Sequence, residues 1–243
     1  MSRQDLKQSI VALQEDTCLY SGGVDIWHAE FESNRDKISE IDDLLSPDEF
    51  ERGSRFRFEK DRLNYVFARG LLRLIAGQYL ERAPGQIEFS YGEQGKPKID
   101  DADFSFNLSH SNDMVVYAIS RFETVGIDIE WTGRKVETEE VARQFFSKRE
   151  FESLTELSPL EQNHAFFNIW TRKEALIKAI GQGLSFPLDQ FEVSHGEEAE
   201  LVKTYWNPEE IDQWSIKSFE LREDYATALA IRGRATNYRI FKF

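Results

Sequence analysis

Apolar positions recur at helical spacing across residues 60–80, where Leu63, Val66, Phe67, Leu71, Leu74 and Ile75 form one stripe. Pro84-Gly85 stands just beyond and stops that helix. A shorter helix is predicted to open at Ser46-Pro47-Asp48-Glu49. Ser46 caps it, Pro47 suits the first turn, and Glu49 completes a capping box. The same signature returns at Ser147-Lys148-Arg149-Glu150 and at Ser158-Pro159-Leu160-Glu161. The last of these opens a long helix that ends near Ile180, where Gly181 supplies a left-handed cap.

Between and after the long helices the period drops to two. Short β-type runs are predicted at residues 87–90, 104–109, 115–120 and 125–130, with later ones at 191–193, 214–220 and 226–231. Phe104, Phe106 and Leu108 alternate with Ser105, Asn107 and Ser109, the pattern of a half-buried strand. A first strand carries Val24, Ile26 and Trp27, and the polar stretch before Gly23 reads as loosely held. Each half therefore holds a long helix and several antiparallel strands. The simplest architecture is α+β, two similar halves joined near residues 121–123, that is 1–121 and 122–243. Similarity between the two halves is too weak to establish a duplication.

Composition narrows the class. In 243 residues, 40% are apolar and 13% aromatic, which is the make-up of a folded globular chain. The single cysteine, Cys18, has no partner for a disulfide and no zinc-type Cys/His cluster accompanies it, so a reducing compartment is expected. No apolar run approaches the ~20 residues that span a bilayer, and residues 1–16 lack the layout of a secretory signal. A cytoplasmic location without membrane attachment is the expectation. The net charge of −14 opposes broad nucleic-acid binding, because the phosphate backbone is repelled.

Candidate chemistry concentrates in a few segments. In Val125-Gly126-Ile127-Asp128-Ile129-Glu130, strand alternation sends the isoleucines one way and Asp128 and Glu130 the other. Their Cα atoms then lie ~6.5–7 Å apart, and both carboxylates reach one cation. Hard ions such as Mg²⁺ take one or two carboxylates together with water and phosphate oxygens. The plainer reading is an acidic solvent face. Glu174 and Lys178, in Trp170-Thr171-Arg172-Lys173-Glu174-Ala175-Leu176-Ile177-Lys178, share one helix face, as a further ligand or base with a phosphate-holding cation, or as an ordinary surface pair. Asn107-Leu108-Ser109-His110-Ser111 ends a strand with groups suited to an anion. It lacks the G-x-S-x-G elbow of a serine hydrolase. Gly92-Glu93-Gln94-Gly95-Lys96-Pro97 forms a turn, either a plain surface turn or one that brings backbone N–H groups to a ligand. No Walker A or dinucleotide fingerprint is present.

In this order the segments Gly95-Lys96-Pro97, Phe106 to Ser111, Gly126 to Glu130, Phe145-Phe146-Ser147-Lys148-Arg149-Glu150 and Trp170 to Leu188 resemble the Sfp-type 4′-phosphopantetheinyl transferases. The resemblance implies a monomeric pseudo-dimer of two α+β halves with coenzyme A and Mg²⁺ in the cleft between them. It implies metal ligation by Asp128, Glu130 and Glu174, and coenzyme A phosphate contacts from Ser109, His110, Lys173 and Lys178. Gly95, Lys96 and Pro97 match the loop around the adenine end. Arg52 falls at the basic position near the 3′-phosphate, with Arg62 and Arg69 as rivals. The implied reaction moves phosphopantetheine to a serine of an apo-acyl or peptidyl carrier protein and releases adenosine 3′,5′-bisphosphate. Asp128, Glu174 and Lys178 carry the chemistry, with Glu174 or a hydroxide on the metal taking the serine proton. A metal-dependent phosphohydrolase and a non-enzymatic acidic interaction module are the competing readings. Carriers of this type are acidic, so docking is expected to use an apolar patch and the cations Lys148 and Arg149.

Overall fold

The computed structural model describes residues 19–243, so most of the stretch expected to be loosely held, with Cys18, lies outside the described residues. The helices are Ile38–Asp42 (α1), Pro47–Ser54 (α2), Glu59–Leu80 (α3), Thr138–Phe145 (α4), Lys148–Thr155 (α5) and Pro159–Ile180 (α6). The strands are Gly23–Glu30 (β1), Ser90–Tyr91 (β2), Pro97–Lys98 (β3), Ser105–Ser111 (β4), Met114–Ser120 (β5), Val125–Trp131 (β6), Phe191–Val193 (β7), Leu201–Thr204 (β8), Trp214–Phe219 (β9), Tyr225–Arg232 (β10) and Asn237–Lys242 (β11).

Local chemistry accounts for the helix ends. Ser46, Ser147 and Ser158 each form the expected capping box, and Gly181 closes α6 at φ +82°. The helix α3 ends on Glu81 in the left-handed region, a conformation glycine usually supplies. The run predicted at 87–90 contributes only Ser90 to a strand. Strands β8 and β11 and helix α4 are additions that the sequence pattern did not announce.

The topology repeats. One sheet has the order β11-β1-β5-β4 and the other β6-β10-β9, with β2-β3 and β7-β8 as separate hairpins. Each strand of the first half thus has its counterpart five strands later, and the 22-residue helices α3 and α6 correspond. The opening strands even share a short sequence, Gly23-Val24-Asp25-Ile26-Trp27 against Gly126-Ile127-Asp128-Ile129-Glu130.

Alternation along these strands divides the interior into layers. Val24, Ile26, Met114, Val116 and Ala118 face Val125, Ile127, Ile129, Leu229 and Ile231 in a core between the two sheets. Trp27, Val115, Tyr117 and Ile119 point the opposite way, onto Phe67, Leu71, Leu74 and Ile75 of α3. Ala226, Ala228 and Ala230 receive Ala175, Leu176 and Ala179 of α6. Each large apolar side chain buried this way contributes about 1.5–3 kcal/mol. Glu49 is one of several buried charges, bonded to Arg69 at 2.6 Å and Arg73 at 2.6 Å under the first core. Burial pushes its carboxyl up, but Arg73 and Arg69 outweigh that and hold it below its ordinary value.

One strand crosses the division expected at residue 121. The last strand, β11, crosses back and pairs in parallel with β1, from Gly23↔Asn237 to His28↔Lys242. An edge strand left bare would expose unpaired backbone groups. The side chains reinforce this cover: Arg239 grips Asp25 at 2.7 Å and Phe241 stacks on Trp27 at 4.4 Å. Tyr238 also meets Phe219 of β9 at 5.5 Å. Among the described residues no helix is long and apolar enough to cross a membrane.

Candidate active site

The two sheets abut along β4 and β6, and side chains make the seam. Asn107 Oδ1 accepts from the Ile127 N–H at 2.9 Å, and Ser111 Oγ accepts from the Trp131 N–H at 3.0 Å. Ser105 Oγ donates to the Glu123 carbonyl at 2.9 Å, and Ser109 Oγ to Asp128 Oδ1 at 2.8 Å. The polar face of β4 is therefore turned mainly to the other half, with Ser105 and Ser111 at its ends half-buried. It satisfies the facing edge of the other half, and Asn107 and Ser109 are buried.

Helix α6 lies directly across β6 because residue 126 has no side chain. A Cβ there would stand 2.1 Å from the Ala175 carbonyl and 2.4 Å from the Ala179 nitrogen. The alanines opposite Asp128 and Glu130 on β10, Ala228 and Ala226, keep that face shallow. Glu174 and Lys178, one turn apart on α6, are thus brought to the acidic face of β6. Lys178 Nζ contacts Asp128 Oδ1 at 2.6 Å and donates to Ser109 Oγ at 2.8 Å.

Asp128, Glu130 and Glu174 line one cavity of about 580 Å³, whose walls include Phe145, Trp170 and Phe186. Asp128 Oδ2 and Glu174 Oε1 are buried and accept no hydrogen bond. Burial, then the nearby Asp128 charge, push the Glu174 carboxyl up to about 7, against the pull of Lys178. Burial and Asp128 raise Glu130 as well, although Ser111 at 2.7 Å and Arg134 at 3.3 Å hold its two oxygens. Among the described residues no three His, Cys, Asp or Glu side chains stand already closed around an ion position. The donors nonetheless fit a hard cation: two unpartnered carboxylate oxygens share a cavity, and phosphate oxygens can complete the shell.

The other sequence candidates divide. His110 follows Ser109 at the end of β4, with one edge exposed and its ring 6.5 Å from Phe31. The protein around it and then the Lys178 charge lower its imidazole below the ordinary value. Gly95, at φ +76°, turns the β2-β3 hairpin, and Pro97 pairs with Tyr91. Lys96 points inward, to the carbonyls of Lys178 at 2.7 Å and Val125 at 2.9 Å. Arg52 is exposed on α2, 5.9 Å from the Tyr65 ring. Of its rivals, Arg69 is engaged by Glu49, and Arg62 pairs with Glu59 at 2.8 Å.

Lys173 does not join the cleft, and the phosphate contact implied for it is withdrawn. One residue before Glu174, it points to another face of α6 and is wholly buried against Glu150 at 2.8 Å. It also donates to the Leu188 carbonyl at 2.7 Å. Burial lowers the ammonium and raises the carboxyl, and their attraction opposes both shifts. Asn107 and Ser111 entered the sequence reading only as members of the polar run that ends β4, and Arg134 did not enter it; all three hold the site. For the first two the signal was their two-residue spacing with Ser109, and for Arg134 its place four residues after Glu130.

Comparison with known proteins shows the family. A model described as the 4′-phosphopantetheinyl transferase superfamily matches residues 124–230, and one described as 4′-phosphopantetheinyl transferase, N-terminal, matches residues 29–121. The 4′-phosphopantetheinyl transferase HetI of Nostoc sp. strain PCC 7120 is 32% identical over 222 residues, covering 88% of this chain and 90% of that protein. The 4′-phosphopantetheinyl transferase Sfp of Bacillus subtilis strain 168 is 34% identical over 187 residues, covering 76% and 81%. Likeness over 88% of the chain, with family models matching both halves of a repeated fold, has one consequence: the chain belongs to the 4′-phosphopantetheinyl transferase family.

Proposed function

We propose that this transferase moves 4′-phosphopantetheine from coenzyme A to a serine of an apo-acyl or peptidyl carrier protein, with Mg²⁺ held by Asp128, Glu130 and Glu174. The observation that carries the reading is the Lys178–Asp128–Ser109 cluster beside the unpartnered oxygens of Asp128 and Glu174. When bound, the ion neutralises phosphate charge, which dominates the barrier for a pyrophosphate.

The chain's own groups do the rest. Lys178 sets a cation beside the pyrophosphate, and Ser109 and His110 supply hydrogen bonds at the end of β4. Glu174, with a carboxyl near 7 and a free Oε1, is suited to take the proton of the attacking serine hydroxyl. The serine attacks the β-phosphorus, its O–P bond forms, and adenosine 3′,5′-bisphosphate departs. Phe145 and Phe186 offer apolar contact to the arm and to the carrier beside it. Lys148 and Arg149, exposed at the start of α5, give an acidic carrier its local cations despite the net charge of −14.

The test is incubation with coenzyme A, Mg²⁺ and an apo-carrier, followed by the intact mass of the carrier. A gain of one phosphopantetheine unit is expected. Release of 4′-phosphopantetheine and adenosine 3′,5′-bisphosphate from coenzyme A without carrier modification would instead favour hydrolysis by the same carboxylates.

A further inference from the structure

Lys178 is held at both ends. Its ammonium lies on Asp128 and Ser109, and its backbone carbonyl accepts from Lys96 Nζ at 2.7 Å. That carbonyl belongs to the last turn of α6, where the helix runs out of N–H groups to satisfy it. Lys96 also donates to the Val125 carbonyl, the first of β6, at 2.9 Å. One side chain from the first half thus ties together a helix end and a strand start of the second.

We infer that Lys96 is a positioning residue, which sets the Lys178 ammonium over Asp128 by fixing the end of α6 against the start of β6. The inference rests on the proposed role of Lys178 at the phosphates. Three observations support it. Helix α6 touches β6 closely at Gly126, from Ala175 to Ala179, so its last turn lies against the strand whose first carbonyl Lys96 also holds. Lys96 makes no ion pair with a carboxylate among the described residues, so its charge is set against carbonyl dipoles at a helix C-terminus, where a cation is favoured. The turn that carries it is itself braced, with the Gly92 N–H on the Lys96 carbonyl at 3.0 Å and the Gly95 N–H on the Gly92 carbonyl at 2.8 Å. Removal from water lowers the ammonium to about 8. The loop whose likeness suggested an adenine contact therefore reaches the phosphates through Lys178.

A double-mutant cycle separates this from direct ligand contact. Transfer to an apo-carrier is followed for wild type, Lys96→Met, Lys178→Ala and the double variant. Lys96→Met is expected to lower kcat roughly 10- to 100-fold while KM for coenzyme A changes less than about threefold. In the Lys178→Ala background the same change is expected to cost less than about twofold. Additive losses, or a loss confined to KM for coenzyme A, overturn the assignment. Lys96→Arg, which keeps a cationic donor, is expected to recover part of kcat, and Lys96→Gln carries the same cycle if Lys96→Met does not fold. A wild-type chain that leaves the carrier unmodified sinks the proposed function alone. The clamp is then judged by amide exchange at residues 178–182, faster in Lys96→Met if it holds and unchanged if it does not.

Discussion

Lys178 and Asp128 meet at 2.6 Å across the seam where α6 lies on β6, and Ser109 of the other sheet bonds to both. The contact uses one oxygen of Asp128 and leaves the other, buried, without a partner. A carboxylate half neutralised in this way can still ligate a cation. In the other half the corresponding carboxylate, Asp25, is fully engaged by Tyr79 at 2.7 Å and by Arg239 from β11 at 2.7 Å. The repeated fold thus carries two aspartates in equivalent strands, and only Asp128 keeps an oxygen for a ligand.

Removing the Asp128 carboxylate is expected to cost most of the activity and little of the fold. Asp128→Ala should reduce carrier modification by on the order of 100- to 1,000-fold or more. Intact mass reads the transfer, and a melting curve shows whether the protein is folded. A folded variant with wild-type transfer would refute the metal assignment.

Gly126→Ala is expected to act through α6. The added methyl would meet backbone atoms at 2.1 and 2.4 Å, which no side-chain rotation can relieve. Overpacking of this kind costs roughly 1–3 kcal/mol. Because α6 carries both Glu174 and Lys178, transfer should fall together with the stability measured by urea denaturation.

Lys173→Met should separate stability from binding. It strands Glu150 in the core without its cation, at a cost of about 3–5 kcal/mol. KM for coenzyme A in the folded enzyme should match wild type, since Lys173 faces away from the cleft. A large rise in KM without loss of stability would restore the phosphate contact.

The pH dependence of stability follows from Lys96. Its ammonium is held at about 8 in the folded chain against 10.5 ordinarily. The unfolded chain therefore holds more protons at this position between those values, and titration of Lys96 makes folding more favourable as pH rises across that window. Below about 8 the penalty is complete and constant. Unfolding free energies of wild type and Lys96→Met, compared at about pH 7.5 and about pH 10, should show wild type gaining relative to the variant. A gap that does not change with pH would contradict the placement of the ammonium.

Much of the fold was legible in the chain. The capping serines, the α3 stripe and the alternation at 125–130 are local signals, and local backbone chemistry enforces them. The repeat was not legible: Gly23-Val24-Asp25-Ile26-Trp27 and Gly126-Ile127-Asp128-Ile129-Glu130 are too short to stand out before the strand orders are seen side by side. β11 escaped notice because its partner, β1, lies more than 200 residues away in sequence, as the 214-residue separation of Arg239 from Asp25 shows.

By itself the sequence determined which residue types were available: carboxylates two apart on a strand, a carboxylate and a lysine one turn apart on a helix, and the order of motifs that marks the family. Periodicity is a property of neighbours, so it survives without a structure. Tertiary structure decided which of those groups meet. It turned Lys173 into the core and Lys178 onto Asp128, although both lie on one helix, because five residues of helix turn the side chain to another face. It also directed Lys96 to carbonyls of the opposite half, a choice set by the packing of two sheets and invisible to any local rule.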